Sequence, residues 1–334
     1  MFIKMESLTL LSRRGLKYVA IILLTSISCL DFRFESEYED INGIYLEFLK
    51  HYQHGGQKLL FRGDTGYISR YDSLLIYDFA RVDSIYLMDI YMPGYQIADF
   101  LLEGDYAFLI LPVGLRIVDI RNSQPHIVGT LALQYPEIIE KFGDYVYIAA
   151  ANNLIITDVT EKANPILITS YAFDNSINHL EVDSNFAYIL SGSDIKILSI
   201  EEPNAPSLTY SLSFTDTLPQ LQTFSKKGSH LYVSAKYSDS VSSVLIAYDL
   251  SANHTLRRVS QMTSPFRIRY IDSGGPYMLA LSLSFLSLIN LEYPSSPCVG
   301  EMTTPGGMYG IIHGEHIYTL DYRFLAIFEI RQAE

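Results

Sequence analysis

LRIVDI, residues 115–120, has an aliphatic first residue, a hydrophobic third, a polar fifth and a hydrophobic sixth. The pattern returns as LLIYDF from Leu74, LIITDV from Leu154, IKILSI from Ile195, LIAYDL from Leu245, LSLINL from Leu286 and LAIFEI from Leu325. Successive copies start 41, 39, 41, 50, 41 and 39 residues apart. A period near 40 belongs to four-stranded propeller blades or to helical repeats. The segments are short, β-branched and separated by turn residues, which favours strands. Their near-continuous apolar runs require cover on both faces, as when blades stack around an axis.

Working outward from the motif gives four strands per unit. A short segment such as YPEIIEKF leads into a polar turn (GD, SN, GS or GE) and then an aromatic-rich strand such as YAFLIL, YVYIAA or FAYILS. The motif strand follows, and then a strand such as HIVGTLAL or ILITSYAF. The expectation is an all-β, seven-bladed propeller of four-stranded antiparallel blades spanning residues 44–330. The last unit supplies three strands, and IYLEFLK (44–50) stands spare before the first complete unit at Gln57. Placing that strand at the outer edge of the last blade closes the ring and leaves no open junction.

These units resemble the LVIVD-repeat family of bacterial surface propellers, with LRIVDI the nearest copy. The downstream signature agrees: DVTEKANP (158–165), SIEEPNAP (199–206) and NLEYPSSP (290–297) share a polar start and a proline seven residues later. The resemblance departs at the 50-residue spacing, which admits an insertion at KYSDSVSS, and at Glu329, which replaces Asp. It implies a propeller in an exported, often lipid-anchored setting, and little about chemistry.

The N-terminus reads as an export signal over residues 1–28. Lys4, Arg13, Arg14 and Lys17 precede the 11-residue apolar run YVAIILLTSIS. That length suits a signal peptide, whereas a spanning helix needs about 20 apolar residues. The run ends directly before Cys29, which resembles the lipobox cysteine of bacterial lipoproteins, although Ser26 stands where Leu is usual. Removing the signal leaves 20 basic and 36 acidic residues, a net charge of −16. Anionic headgroups would not attract such a chain, so lipid on Cys29 would have to anchor it. Residues 29–43, with the acidic stretch DFRFESEYEDING, read as a lipidated tether. Cys298 is then left alone and reads as a small buried hydrophobe in a strand. The expected location is a bacterial membrane surface, outer membrane or cell surface, with the protein a monomer.

Composition narrows the function further. The full chain of 334 residues is 49 % hydrophobic and 18 % charged, enough apolar residue for a sizeable core. Tyr 26 and Phe 17 favour strands. The net charge of −13 argues against nucleic acid, which demands a basic surface. The polar fifth residues Asp78, Asp119, Asp158, Ser199, Asp249, Asn290 and Glu329 each precede a turn and read as turn punctuation rather than catalytic carboxylates. The pairs His51/His54 and His313/His316 fall on opposite faces of the ring, so no metal site is expected. No cofactor motif is present: there is no Walker loop, no H-E-x-x-H, no G-x-S-x-G and no calcium loop, and there is no Trp for a Trp-Asp blade signature.

What remains is a loop face. Loops joining blades, and turns entering the motif strand, emerge on one side and carry Tyr71, Tyr95, Tyr135, Phe266, Tyr309 and Tyr322, with Tyr52, Tyr91 and Tyr237 nearby. Tyr and Phe give large, stiff contact area. The function expected is a non-enzymatic binding or scaffolding module with a protein or glycan ligand. The alternative is a hydrolase or lyase with its site at the central channel, which would need catalytic groups converging at the starts of the inner strands. Those starts offer Lys58, Glu137 and Arg267 and no triad.

Overall fold

The structure is a computed structural model that describes residues 44–121, 124–213, 220–236, 242–251, 255–264, 267–283, 285–291, 298–303 and 307–332. The signal, Cys29 and the tether lie outside these residues, as do Tyr237 and Phe266.

The described residues form seven four-stranded antiparallel sheets and no helix. The innermost strands of blades 1 to 7 are Lys58–Arg62, Asp99–Glu103, Pro136–Phe142, Ile177–Val182, Gln220–Lys227, Tyr270–Gly274 and Tyr309–His313. Each packs against the innermost strand of the next blade, and the seventh packs against the first. The motif is the third strand of every blade. In the fifth blade the insertion falls between the strand ending at Lys236 and the motif strand starting at Ser243.

The core lies between blades rather than within them. Seven apolar clusters occur, one at each interface. Tyr77 and Ile68 of blade 1, for example, meet Tyr318 and Ile327 of blade 7. The aromatic-rich second strand explains its composition here. Tyr67, Phe108, Tyr147, Tyr188, Tyr232 and Tyr318 take equivalent register positions in six blades, all buried. Burial pushes the Tyr147 and Tyr318 phenols up to about 12.

Ile44–Tyr52 forms the fourth strand of blade 7, antiparallel to Leu325–Gln332, with Ile44 opposite Gln332 and Tyr52 opposite Leu325. Leu46 is buried in the interface with blade 6. One irregularity makes this strand a true member of the repeat. In blades 1 to 6 the outermost strand shifts register by one residue between the third and fourth motif residues, as at Ile76/Tyr77 and Ile117/Val118. The N-terminal strand carries the same β-bulge, between Phe48 and Lys50, opposite Phe328 and Ile327.

Candidate functional site

Backbone hydrogen bonds assemble the loop face. The starts of blades 1, 2 and 4 rest on the turn before the motif strand of the preceding blade. Gly56 N–H donates to Asp321 O at 2.8 Å, Ile97 N–H to Tyr71 O at 2.7 Å and Ile177 N–H to Ala151 O at 2.8 Å. Interblade loops and motif turns thus share one rim.

The expected aromatics divide on that rim. Tyr71, Tyr95, Tyr135 and Tyr322 are 55, 46, 73 and 43 % exposed, whereas Tyr309 is 8 % exposed. Tyr71 and Tyr322, from adjacent blades 1 and 7, stack with ring centroids 6.0 Å apart and an interplanar angle of 17°. Tyr309 opens the inner strand of blade 7, but its ring packs 4.8 Å from Tyr270 on the neighbouring blade, so it belongs to the interblade core and not to the rim. Tyr52 is half-buried, with its hydroxyl donating to Val82 O at 2.7 Å, and Tyr91 packs into the interface of blades 1 and 2.

Tyr71 and Tyr135 have φ of 51°, the left-handed region. The equivalent turn of blade 4 holds Gly192 there, with φ of 62°. A bulky residue in this conformation costs about 1–3 kcal/mol. Tyr135 also precedes Pro136, a position normally forced toward extended backbone. Neither ring recovers that cost by burial.

The second candidate region is the axial channel, lined by side chains of the innermost strands. Most of its polar groups bond to the next blade. Asp99 accepts Lys58 Nζ at 2.8 Å and Ile139 N–H at 3.0 Å. Glu181 accepts Lys226 N–H at 2.8 Å. Asp272 accepts the Ile312 N–H. These acids satisfy backbone donors on the free inner edges of the sheets, which would otherwise depend on water. Glu140 stands opposite Tyr147 as Glu181 stands opposite Tyr188, one blade on. Yet among the described residues Glu140 has no hydrogen-bond or ion-pair partner. Burial, opposed by Lys58 and reinforced by Asp99, Glu181 and Asp272, pushes its carboxyl up to about 8. Burial and Glu181 raise Asp272 to about 6. Burial pulls Lys58 down, but Asp99, Tyr309 and Glu140 together hold it above its ordinary value.

The turn carboxylates take the punctuating role their position implies. Asp78, Asp119 and Asp158 each accept the N–H two residues on, at 2.7, 2.9 and 2.8 Å. The side-chain hydrogen bond from Arg121 holds Asp119 down at about 2. His313 stacks on Phe61 at 4.2 Å and His54 lies 5.5 Å from Tyr77. Among the described residues no group of three or more His, Cys, Asp or Glu is placed to hold a metal. Glu137 is exposed, and Arg267 hydrogen-bonds Gln222 at 2.8 Å.

Strand starts therefore gave Lys58 but not the carboxyls below it. A signal was available: Asp99, Glu140 and Glu181 recur every 41 residues. Glu140 pairs with the third residue of the adjacent strand and Asp99 with the fifth, so Glu140 lies two residues deeper.

The LVIVD repeat model matches residues 139–172, which run from the inner strand of blade 3 to its outermost strand. No curated protein matches the sequence. Similar solved structures include hydrazine synthase of Kuenenia stuttgartiensis, with 12 % identity, 83 % of this chain and 95 % of that chain covered, and a TM-score of 0.65. A protein from Lactobacillus plantarum shows 12 % identity over 75 % and 88 % of the two chains, TM-score 0.61. The computationally designed Ika8 protein shows 8 % identity over 84 % and 98 %, TM-score 0.60. At these identities the likeness is one of fold, and function has to be argued from the sites.

Proposed function

We propose that this chain is an exported lipoprotein, anchored to a bacterial membrane by acyl chains on Cys29, whose propeller is a non-enzymatic binding or scaffolding module of the cell envelope. The repeat and the fold support a binding module. The observation that carries the reading is the exposed Tyr71–Tyr322 stack, with Tyr71 and Tyr135 in left-handed backbone. Strained residues persist where the surrounding structure holds them, and they concentrate at sites of recognition. A rigid pair of aromatic faces suits a flat apolar protein surface or the face of a sugar ring. The ligand is accordingly a protein or a glycan of the envelope or of a neighbouring cell.

Two experiments test this. Envelope extracts and a glycan array are probed with the wild-type chain and with the Tyr71→Ala/Tyr322→Ala double variant. The expected result is a captured ligand that the variant binds about 2 kcal/mol more weakly, at an unchanged melting temperature. Equal capture by both proteins sinks the rim. For the anchor, Cys29→Ala should remain exported but leave the membrane fraction. A variant that still sediments with membranes after a high-salt wash shows that lipid on Cys29 is not the anchor.

A further inference from the structure

Glu140 is the channel acid without a task. Asp99, Glu181 and Asp272 each cap a backbone N–H of the following blade. Glu140 sits at the register position of Glu181 and caps nothing among the described residues. Its surroundings are protein on nearly every side, but its side chain keeps partial water access, as do Lys58 and Asp99. That combination places Glu140 on a solvent-reached wall rather than in packed core. The one cation facing it from across the channel, Lys58, is committed to Asp99. His179 lies two residues nearer the rim, and its buried Nε2 also lacks a hydrogen-bond partner, with Glu181 3.6 Å away. At the level of Glu140 the wall is divided. Glu140, Glu181, Ser225 and Asp272 occupy blades 3 to 6, while Ile311, Leu60 and Leu101 occupy blades 7, 1 and 2.

The geometry points to the axial channel as a binding site for a small primary alkylammonium ion, its ammonium on Glu140 and its methylene chain along Leu60, Leu101 and Ile311. The carboxyls supply acceptors in excess of the donors around them, and an ammonium brings three N–H donors with the compensating charge. A bare metal ion is a poorer match, because no three ligating side chains converge among the described residues. The apolar half of the wall suits the alkyl chain. None of this depends on the exposed tyrosines of the rim.

The test is calorimetric titration of the full chain with 1,4-diaminobutane at pH 6.0 and 8.5. Binding should strengthen at the higher pH as Glu140 ionises against Lys58, Asp99, His179, Glu181 and Asp272. Glu140→Gln should weaken it at least tenfold without lowering the melting temperature at either pH, and Tyr71→Ala should leave it unchanged, which separates this site from the rim. Neutral 1,4-butanediol should not bind. Between these pH values the wild type should release protons on binding, seen as a heat that depends on the ionisation enthalpy of the buffer; this readout stands even if Glu140→Gln fails to fold. No binding, equal binding by Glu140→Gln, equal binding of the diol, or no proton release each overturns the proposal. A lysine-containing peptide that binds where the free diamine does not would assign the site to a protein side chain and also overturn it.

Discussion

The rim and the channel are built from the same repeat by opposite means. On the rim, Tyr71 and Tyr135 have strained backbone and solvent-exposed side chains. In the channel, Asp99, Glu181 and Asp272 sit in regular strands, and their side chains are spent on the next blade. Residue type alone does not separate these cases, since Tyr135 is exposed and Tyr309 is core. What separates them is whether the residue lies in a turn, where the backbone can be forced, or in a strand, where the neighbouring blade claims the side chain. Glu140 is the exception that crosses the line: strand backbone with an unspent side chain.

The comparison can be broken most severely at the ring itself. Deleting residues 44–52 removes the outer strand of blade 7 and buried Leu46, leaving Leu325–Gln332 as an open apolar edge. Aggregation or loss of cooperative melting is expected, and a truncated chain that melts like the parent would remove the N-terminal strand from the ring. Next in size is Tyr309→Ala, expected to cost about 3–5 kcal/mol as a buried aromatic truncation. Tyr135→Ala should change the melting temperature little, and thermal melts of the two variants side by side check the contrast. If both fall alike, the rim is core too.

A smaller effect concerns pH. Glu140 and Asp272 hold protons in the folded state at pH values where the unfolded chain has released them, from about 4 up to their raised values of about 8 and about 6. Stability should therefore fall as pH rises from 5 to 8. Allowing for water in the channel, Glu140→Gln should recover about 1–2 kcal/mol at pH 8.5 and almost none at pH 5. Denaturant titrations at the two pH values decide, and a variant with the parent's pH slope would show that Glu140 is an ordinary solvated carboxylate. Smallest is Tyr71→Gly, which relieves the left-handed backbone. Any gain in stability should stay below about 1 kcal/mol, because glycine also loosens the unfolded chain.

Much of the fold was legible in one strand. The alternation of LRIVDI and its six relatives gave strand, blade and blade number, because both faces of a radial sheet must be apolar. The spare segment at 44–50 was legible by counting strands. The rim was legible in part, since turn residues reveal themselves by position; Tyr309 was misplaced because a residue opening an inner strand can turn its ring to the neighbouring blade instead of the mouth of the channel. The channel was hardly legible. Its carboxyls are interspersed with the core residues of short inner strands, and Glu140 lies two residues nearer its hairpin turn than Asp99 does. Pairing across the axis depends on register, which single-strand patterns do not carry.

The bulge repeated in every outermost strand has a consequence for self-assembly. Each blade ends in an edge whose unpaired amides face outward, and these edges carry apolar side chains such as Tyr86, Met88 and Ile90. A flat strand of that composition would template pairing with another molecule and seed fibrous aggregates. The extra residue kinks the edge near its midpoint, so no two edges match over more than a few residues. A ring with seven open borders thereby limits edge-to-edge pairing between its copies.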